Sequence, residues 1–376
     1  MTQFCWLLFG DFSSLLCGRD GNEARNCSRY MSRIAIVGAG ASGLAAAFQL
    51  SKKGHEVCVF EKSRGVSGRA ASRSRNGCRY DYGANYFKPE SNEVAELIFR
   101  TLPHNDLCRI AGDIWTFDAN GHHAPGDPKQ NASAKWTYRS GISTLGKLLI
   151  DAGNFAMQRE SLITGLYHNK THWTLEEAGN TSHGPFDKVL LTPPAPQSVD
   201  LLKNSEASPG LLPDMISVLE NVPYHVQFSV MLNFNATLAL PGDAYAMINT
   251  DRKHRLAWLS NEGQKQGHVP AGESLFIAQM NPKWSATHQE DSPPSIIAAA
   301  YESVNSLLGN NLPTLHWADT QRWRYAHPDG GAKIEDTASA SEIGLYFAGD
   351  AFVGKGRVPG ALQTGLNAAK RILAHT

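Results

Sequence analysis

The residues best suited to chemistry come early: Gly38, Gly40 and Gly43 at G-x-G-x-x-G spacing, and Glu61, 18 residues after Gly43. Gly38 permits a tight turn, Gly40 lets the backbone approach a pyrophosphate, and Gly43 lets a following helix lie close on a strand. Ala41 and Ser42 open that helix, where free N–H groups and the helix dipole attract phosphate oxygens. A carboxylate at Glu61 accepts hydrogen bonds from ribose hydroxyls and disfavours a 2′-phosphate. The set binds a dinucleotide. Lys62-Ser63-Arg64-Gly65-Val66-Ser67-Gly68-Arg69 extends it. Gly65 and Gly68 allow close backbone approach, and Arg64 and Arg69 can pair with pyrophosphate oxygens bidentately.

Certain elements must position these groups. The β-branched run Ile34–Val37 suits a buried parallel strand, Leu44–Lys53 a helix ended by Gly54, and Val57–Phe60 a second strand. Phe186–Thr192 reads as a further strand, and the three prolines of Thr192-Pro193-Pro194-Ala195-Pro196-Gln197 predict a rigid crossover. Near the end, Leu345–Asp350 is a buried strand closing in Gly349-Asp350. A loop with Gly354, Gly356 and Gly360 follows, then a helix over Ala361–Leu373. Its first N–H groups, around Gly360, Ala361 and Leu362, would stabilise negative charge on a bound group. Between them, a helical stretch is expected over Glu90–Leu102. Residues 200–317 alternate strand-like runs (Val226–Leu232, Leu256–Leu259, Leu275–Gln279) with helices such as Ser295–Leu308, the pattern of a mixed sheet with helical cover.

Size and composition bound the rest. A chain of 376 residues can hold two domains and a large core. Lysine plus arginine and aspartate plus glutamate both number 35, which gives no overall electrostatic footprint for nucleic acid or an anionic membrane. Cys58, Cys78 and Cys108 have neither C-x-x-C spacing nor a histidine pattern for metal, and read as reduced thiols of a cytoplasmic protein. No metal site is expected. Residues 1–30 lack a basic n-region, and their apolar run is too short to span a membrane. They read as a disordered extension or a start assigned too far upstream, because Met31 directly precedes the first strand.

The extended motif resembles the FAD-dependent amine-oxidase superfamily, whose members carry a Gly-Gly-Arg element after the acidic residue; Ser67 here replaces the first glycine. The stretch Asp81-Tyr82-Gly83-Ala84-Asn85-Tyr86-Phe87 resembles the Asp-x-Gly-Ala-Gln-Tyr-Phe element of the renalase branch. Thr192–Gln197 is similar to that family's Thr-Pro-Ala-Pro-Gln element, and Arg322–Ala326 also fits the bacterial renalase-like branch. The resemblance implies an α/β fold: a Rossmann-type FAD-binding domain with a second, mixed-sheet α+β substrate domain, as in amine oxidases and p-hydroxybenzoate hydroxylase. Residues 31–87, 141–200 and 318–376 would form the first domain, and 88–140 and 201–317 the second.

The same resemblance assigns roles. Backbone near Ile163 would bind adenine, Gly349 and Asp350 the ribityl or pyrophosphate part of FAD, and the last helix flavin N1 and O2. Gly83 permits close approach to the flavin ring, with Ala84, Asn85 and Tyr86 beside it. Tyr82 and Tyr86 read equally well as core aromatics. Trp284-Ser285-Ala286-Thr287-His288 resembles a Trp-Ser-x-x-His element of the relatives, so Trp284 would stack on substrate and His288 hydrogen-bond it; a surface histidine on a loop fits the same residues. Gln279 stands where the relatives carry histidine. Monoamine oxidases attach flavin through a C-terminal cysteine, whereas the last cysteine here is Cys108. Non-covalent FAD is therefore expected. With no triad, metal set or paired carboxylate in view, the cofactor carries the chemistry. Three functions are open: an oxidase of a small reduced substrate such as an isomeric dihydronicotinamide dinucleotide, with O₂ as acceptor; an oxidase of small or aromatic amines; or a flavin-binding protein without turnover.

Overall fold

The computed structural model describes residues 31–207 and 210–375, so the expectation for residues 1–30 lies outside it. Strands β1 (Arg33–Val37), β2 (Glu56–Glu61), β9 (Ala156–Arg159), β13 (Lys188–Leu191) and β19 (Leu345–Phe347) form a wholly parallel sheet in the order β19-β13-β1-β2-β9. Apolar side chains face out from both sides of it, as in a sheet covered twice. Two helices, Ala41–Lys52 and Val358–Ala374, pack together on one face. Small residues let them approach: a Cβ on Gly365 would lie 2.0 Å from the Ser42 carbonyl oxygen, and Ser42 Oγ meets Thr364 Oγ1 at 3.1 Å. Leu44, Leu50 and Ile372 are fully buried there, each side chain contributing roughly 1.5–3 kcal/mol.

The larger sheet is mixed. Its strands are β6 (Ile114–Phe117), β7 (His123–Pro125), β14 (Tyr224–Phe234), β15 (Ala246–Asn249), β16 (Leu256–Asn261), β17 (Ser274–Met280) and β18 (Trp317–Pro328), in the order β18-β14-β17-β16-β15-β6-β7. Alternation along β14 and β17 gives the two faces different tasks. Phe228, Val230, Leu232, Phe276 and Ala278 pack under the helices Pro282–Thr287 and Pro293–Leu307. Met231, Leu275 and Ile277 face the other way, onto the hairpin β3 (Ser72–Arg75) and β4 (Cys78–Asp81). Smaller sheets complete the fold: β10 (Ile163–His168) with β11 (Trp173–Glu177) and β12 (Thr181–Phe186), and the pair β5 (Leu107–Ile110) and β8 (Lys135–Tyr138).

The predicted α/β architecture with a second mixed sheet is present, with four local differences. The mixed sheet keeps β18 through Pro328 rather than ending at 317, because β18 pairs with β14 over nearly its whole length. The Pro-rich segment becomes a helix at Ala195–Lys203, and the last helix begins at Val358, three residues before the expected start. Both put proline in the first turn, where its missing N–H costs nothing and its φ is already helical. Glu90–Leu102 shortens to Asn92–Glu96, capped by Ser91, and continues as one wide π-turn over Leu97–Thr101.

Candidate functional site

A single cleft of about 1680 Å³ runs from the first glycine motif past Gly83 to β18 and the last helix. At its first end, Gly38 adopts φ +101°, and a Cβ on Gly43 would stand 2.0 Å from the Gly38 carbonyl oxygen. Only glycine lets the helix Ala41–Lys52 start that close to β1. Gly40 lines the cleft and a Cβ there meets nothing within 4 Å, so the space above it is open to a ligand. Glu61 is buried at the tip of β2, its Oε2 accepting from Ala39 N–H and its Oε1 from Ser63 N–H, both at 2.9 Å. Ser67 holds a left-handed φ of +77°, and its Oγ donates to the Ser143 carbonyl at 2.9 Å. That bond ties the basic loop to the fold. Lys62, Arg64, Gly68 and Ile163 also line this end, and Arg64 makes no hydrogen bond or ion pair among the described residues.

Arg69 and Asp350, both expected to contact cofactor, are paired with each other across the cleft wall. They form a bidentate ion pair, Nη1 to Oδ2 at 2.6 Å and Nη2 to Oδ1 at 2.9 Å. Arg69 Nη1 also donates to the Tyr325 and Ala326 carbonyls, and the Tyr224 hydroxyl donates to Asp350 Oδ1 at 2.8 Å. Burial opposes the guanidinium charge, but the Asp350 carboxylate outweighs it and holds Arg69 above its ordinary value. Their charges are largely spent on each other. The pair joins the basic loop, β18 and Gly349 into one cleft wall.

At the far end, Gly83 admits no side chain, since a Cβ would lie 2.0 Å from the Arg69 carbonyl oxygen. Its own carbonyl accepts from Gln279 Nε2 at 2.8 Å and Asn85 Nδ2 at 3.3 Å. Ala84, Asn85 and Tyr86 line the cleft beside it. The Tyr86 ring lies 6.0 Å from that of Trp258, a residue the sequence reading missed. Burial raises the Tyr86 phenol, against an opposing pull from Arg357. The last helix supplies different donors from those expected. Ala361 N–H is taken by the Arg357 carbonyl, and Leu362 points into the core. By position, Val358 and Gly360 carry the free N–H groups of the first turn.

Trp284 and His288 are not brought to the cleft. Their rings stack on one another at 4.0 Å, and Trp284 packs against Phe228, on the helix-covered face of β14. Gln279 emerges on the opposite face. The chain leaves β17 after Met280, and the helix Pro282–Thr287 lies over the face opposite to the one Gln279 takes.

Behind Gly83 lies a charged cluster that sequence spacing did not reveal. Lys265 Nζ reaches Asp81 Oδ2 at 2.9 Å and Glu262 Oε1 at 2.7 Å, and His268 Nδ1 meets Glu262 Oε2 at 2.9 Å, all four side chains fully buried. His268 Nε2 faces the Tyr138 carbonyl at 3.0 Å. Both ring nitrogens therefore face acceptors, so both carry protons. Asp81, Glu262 and His268 are ligand types grouped within 4.8 Å, but the Lys265 ammonium already bonds both carboxylates and the imidazole has no lone pair left. The cluster is an ion network. It fixes β4 two residues before Gly83, with Ser72 Oγ, Thr137 Oγ1 and Ile142 N–H completing the shell of Asp81.

Two family models match the chain: an NAD(P)-binding Rossmann-like domain over residues 36–102, and a flavin containing amine oxidoreductase over residues 167–373. The second covers more than half of the sequence. The chain belongs to the flavin containing amine oxidoreductase family. Local similarity reaches protoporphyrinogen oxidase 2, chloroplastic/mitochondrial, of Arabidopsis thaliana, 46% identical over 66 residues, or 18% of this chain and 13% of that one. It also reaches the 4,4'-diapophytoene desaturase (4,4'-diaponeurosporene-forming) of Staphylococcus haemolyticus, 50% identical over 50 residues, 13% of this chain and 10% of the relative. These matches span a small part of either relative. Among solved structures, reduced UDP-galactopyranose mutase superposes with a TM-score of 0.74 at 11% identity, covering 92% of this chain and 96% of that one. Cyclohexylamine oxidase from Brevibacterium oxydans IH-35A gives 0.70 at 14% identity, covering 92% and 99%. At such identities the likeness is one of fold.

Like its amine oxidoreductase family, this flavoprotein uses FAD, and the residues present fit that cofactor. The open space over Gly40, the buried Glu61 carboxylate, the Arg64 guanidinium and the first-turn N–H groups at Val358 and Gly360 all lie along one cleft or at its edge. Among the described residues no helix is long and apolar enough to cross a membrane. Glu61→Ala should weaken FAD binding by roughly 1.5–3 kcal/mol, the worth of a charge-assisted hydrogen bond. A titration of apoprotein giving unchanged affinity would remove Glu61 from the ribose site.

Cys58, Cys78 and Cys108 do not line the cleft. Burial pushes the Cys58 thiol up to about 11 and the Cys78 thiol up to about 12, which makes both poor nucleophiles. Acid precipitation should leave the yellow colour in the supernatant. A yellow pellet would mean a covalent link.

Proposed function

We propose that the protein is a renalase-like FAD-dependent oxidase acting on a small reduced substrate, an isomeric dihydronicotinamide dinucleotide. Bound in the cleft, FAD would supply a two-electron acceptor: the reduced ring would lose two electrons and a proton as a hydride, and these, with one further proton from solvent, would convert O₂ to hydrogen peroxide.

The observation carrying this reading is the charge of the cleft. On a chain with no net charge, lysine and arginine outnumber aspartate and glutamate along it eleven to four. A cleft of that sign attracts an anionic dinucleotide and repels a protonated amine. Polar groups at the Gly83 end support the same reading. Gln279 and Gln227 commit their amide nitrogens to the Gly83 and Met280 carbonyls, leaving oxygens free to accept from a carboxamide. Tyr86 and Trp258 offer a flat aromatic wall to a ring. A dihydronicotinamide needs no general base, only a hold on its ring, so these residues act by positioning.

The same aromatic pair would suit an amine, which keeps amine oxidation as the second reading. Stopped-flow flavin bleaching separates them. Isomeric dihydronicotinamides should react fastest, ordinary β-NADH more slowly and simple amines slowest. Rapid reduction by an amine with none by any dihydronicotinamide would select the second reading, and no bleaching by any reductant would leave a flavin-binding protein without turnover.

A further inference from the structure

Two cations near Tyr86 have no acidic partner among the described residues. Lys88 lies two residues beyond Tyr86 and Arg357 immediately before the last helix, and both line the cleft. Lys88 Nζ sits 6.0 Å from the Tyr86 ring centroid, and its one hydrogen bond goes to the neutral Gln130 carbonyl at 2.7 Å. The Arg357 side chain makes no hydrogen bond or ion pair among the described residues. Both Tyr86 and Lys88 lie within its electrostatic reach. A third cation, Lys135, is 2% exposed and also acts on Lys88. Burial first, and then repulsion from Lys135 and Arg357, holds the Lys88 ammonium below its ordinary value.

The other charges around this set do not cancel it. Asp113 and Arg109 act on Lys135 with opposite sign, and Glu90, exposed at the cleft edge, forms no ion pair among the described residues. Gathering cations that repel one another costs free energy unless an anion visits. The free N–H groups of Val358 and Gly360 follow Arg357 directly and add to the positive field.

We propose that Arg357 and Lys88 form an anion subsite that receives a phosphate of the substrate. The inference rests on the nucleotide-oxidase reading and sharpens it: the substrate must be phosphorylated, and the guanidinium takes two phosphate oxygens while the ammonium takes a third. The arrangement separates a dinucleotide from its riboside without any contact to the reacting ring.

FAD-loaded protein titrated with ADP-ribose and with inorganic pyrophosphate, read by calorimetry and by the flavin spectrum, tests the subsite without turnover. Both probes should bind the native protein and weaken at high ionic strength. Arg357→Gln and Lys88→Gln should each lower their affinity about tenfold. In flavin reduction, the preference for a dihydronicotinamide dinucleotide over the matching riboside should collapse in the double variant. Failure of both anions to bind the native protein, or equal binding by the variants, would overturn the subsite, as would an equal loss for dinucleotide and riboside. If the variants lose anion binding while no dihydronicotinamide bleaches the flavin, the subsite stands and the oxidase reading fails.

Discussion

Lys265→Met should destabilise the protein by about 3–5 kcal/mol, the usual cost of removing one partner from a buried ion network. The variant leaves Asp81 Oδ2 and Glu262 Oε1 without their ammonium in a site with no solvent exposure. Denaturant unfolding followed by tryptophan fluorescence measures the effect, and a loss under about 1 kcal/mol would show that the two carboxylates find other partners. The network also sets a pH profile. Burial lowers His268, but its bond to Glu262 and the nearby carboxylate charges outweigh that, leaving it above its ordinary 6.5. Its contribution is therefore full below about 6.5 and is lost as pH rises through the raised folded value. Burial raises Asp81, but Lys265 and His268 outweigh it, leaving Asp81 below its ordinary 3.8. That contribution is present above 3.8 and lost as pH falls through the depressed value. Native stability should thus form a plateau that declines on both sides.

Gly43→Val should abolish useful FAD binding, lowering affinity by roughly a hundredfold or more, where each tenfold is about 1.4 kcal/mol. Its Cβ would stand 2.0 Å from the Gly38 carbonyl oxygen and 2.9 Å from Thr192 Oγ1. The nearest obstacle is backbone and cannot rotate aside. The helix Ala41–Lys52 must move off β1, carrying its N–H groups away from the phosphates, and the overpacked core loses about 1–3 kcal/mol as well. Gly40→Ala makes the contrast. Its Cβ meets no protein atom within 4 Å, so stability should hold while FAD affinity drops because the methyl enters the ligand's space. Flavin occupancy of the two proteins as purified and thermal melting of their apoforms separate the cases. A Gly43→Val protein purified with full flavin would refute the packing argument.

The sequence by itself determined the dinucleotide cradle. Gly38, Gly40, Gly43 and Glu61 lie within one β-α-β unit, where a few backbone torsions fix every distance, so spacing is geometry. Strand alternation and buried parallel runs were legible for the same reason, as were β1, β2, β19 and the two-sheet α/β plan. Two helix starts were misread: the prolines of Thr192–Gln197 were read as a crossover where Pro196 opens a helix, and the glycines after Asp350 as a loop running to Gly360 where the helix already begins at Val358.

Only the tertiary structure decided what each charge is for. Arg69 and Asp350 are 281 positions apart, and Lys265 and Asp81 are 184 apart. No local pattern links such pairs, and the pairing of Arg69 with Asp350, both expected cofactor ligands, builds part of the cleft wall. The face of a strand is equally a tertiary matter: Gln279 reaches the cleft and Trp284 the back of the same sheet. A residue type limits the chemistry a side chain can do. Its partners, set by which distant segments the core brings together, decide whether that capacity is spent on the fold or left free for a ligand.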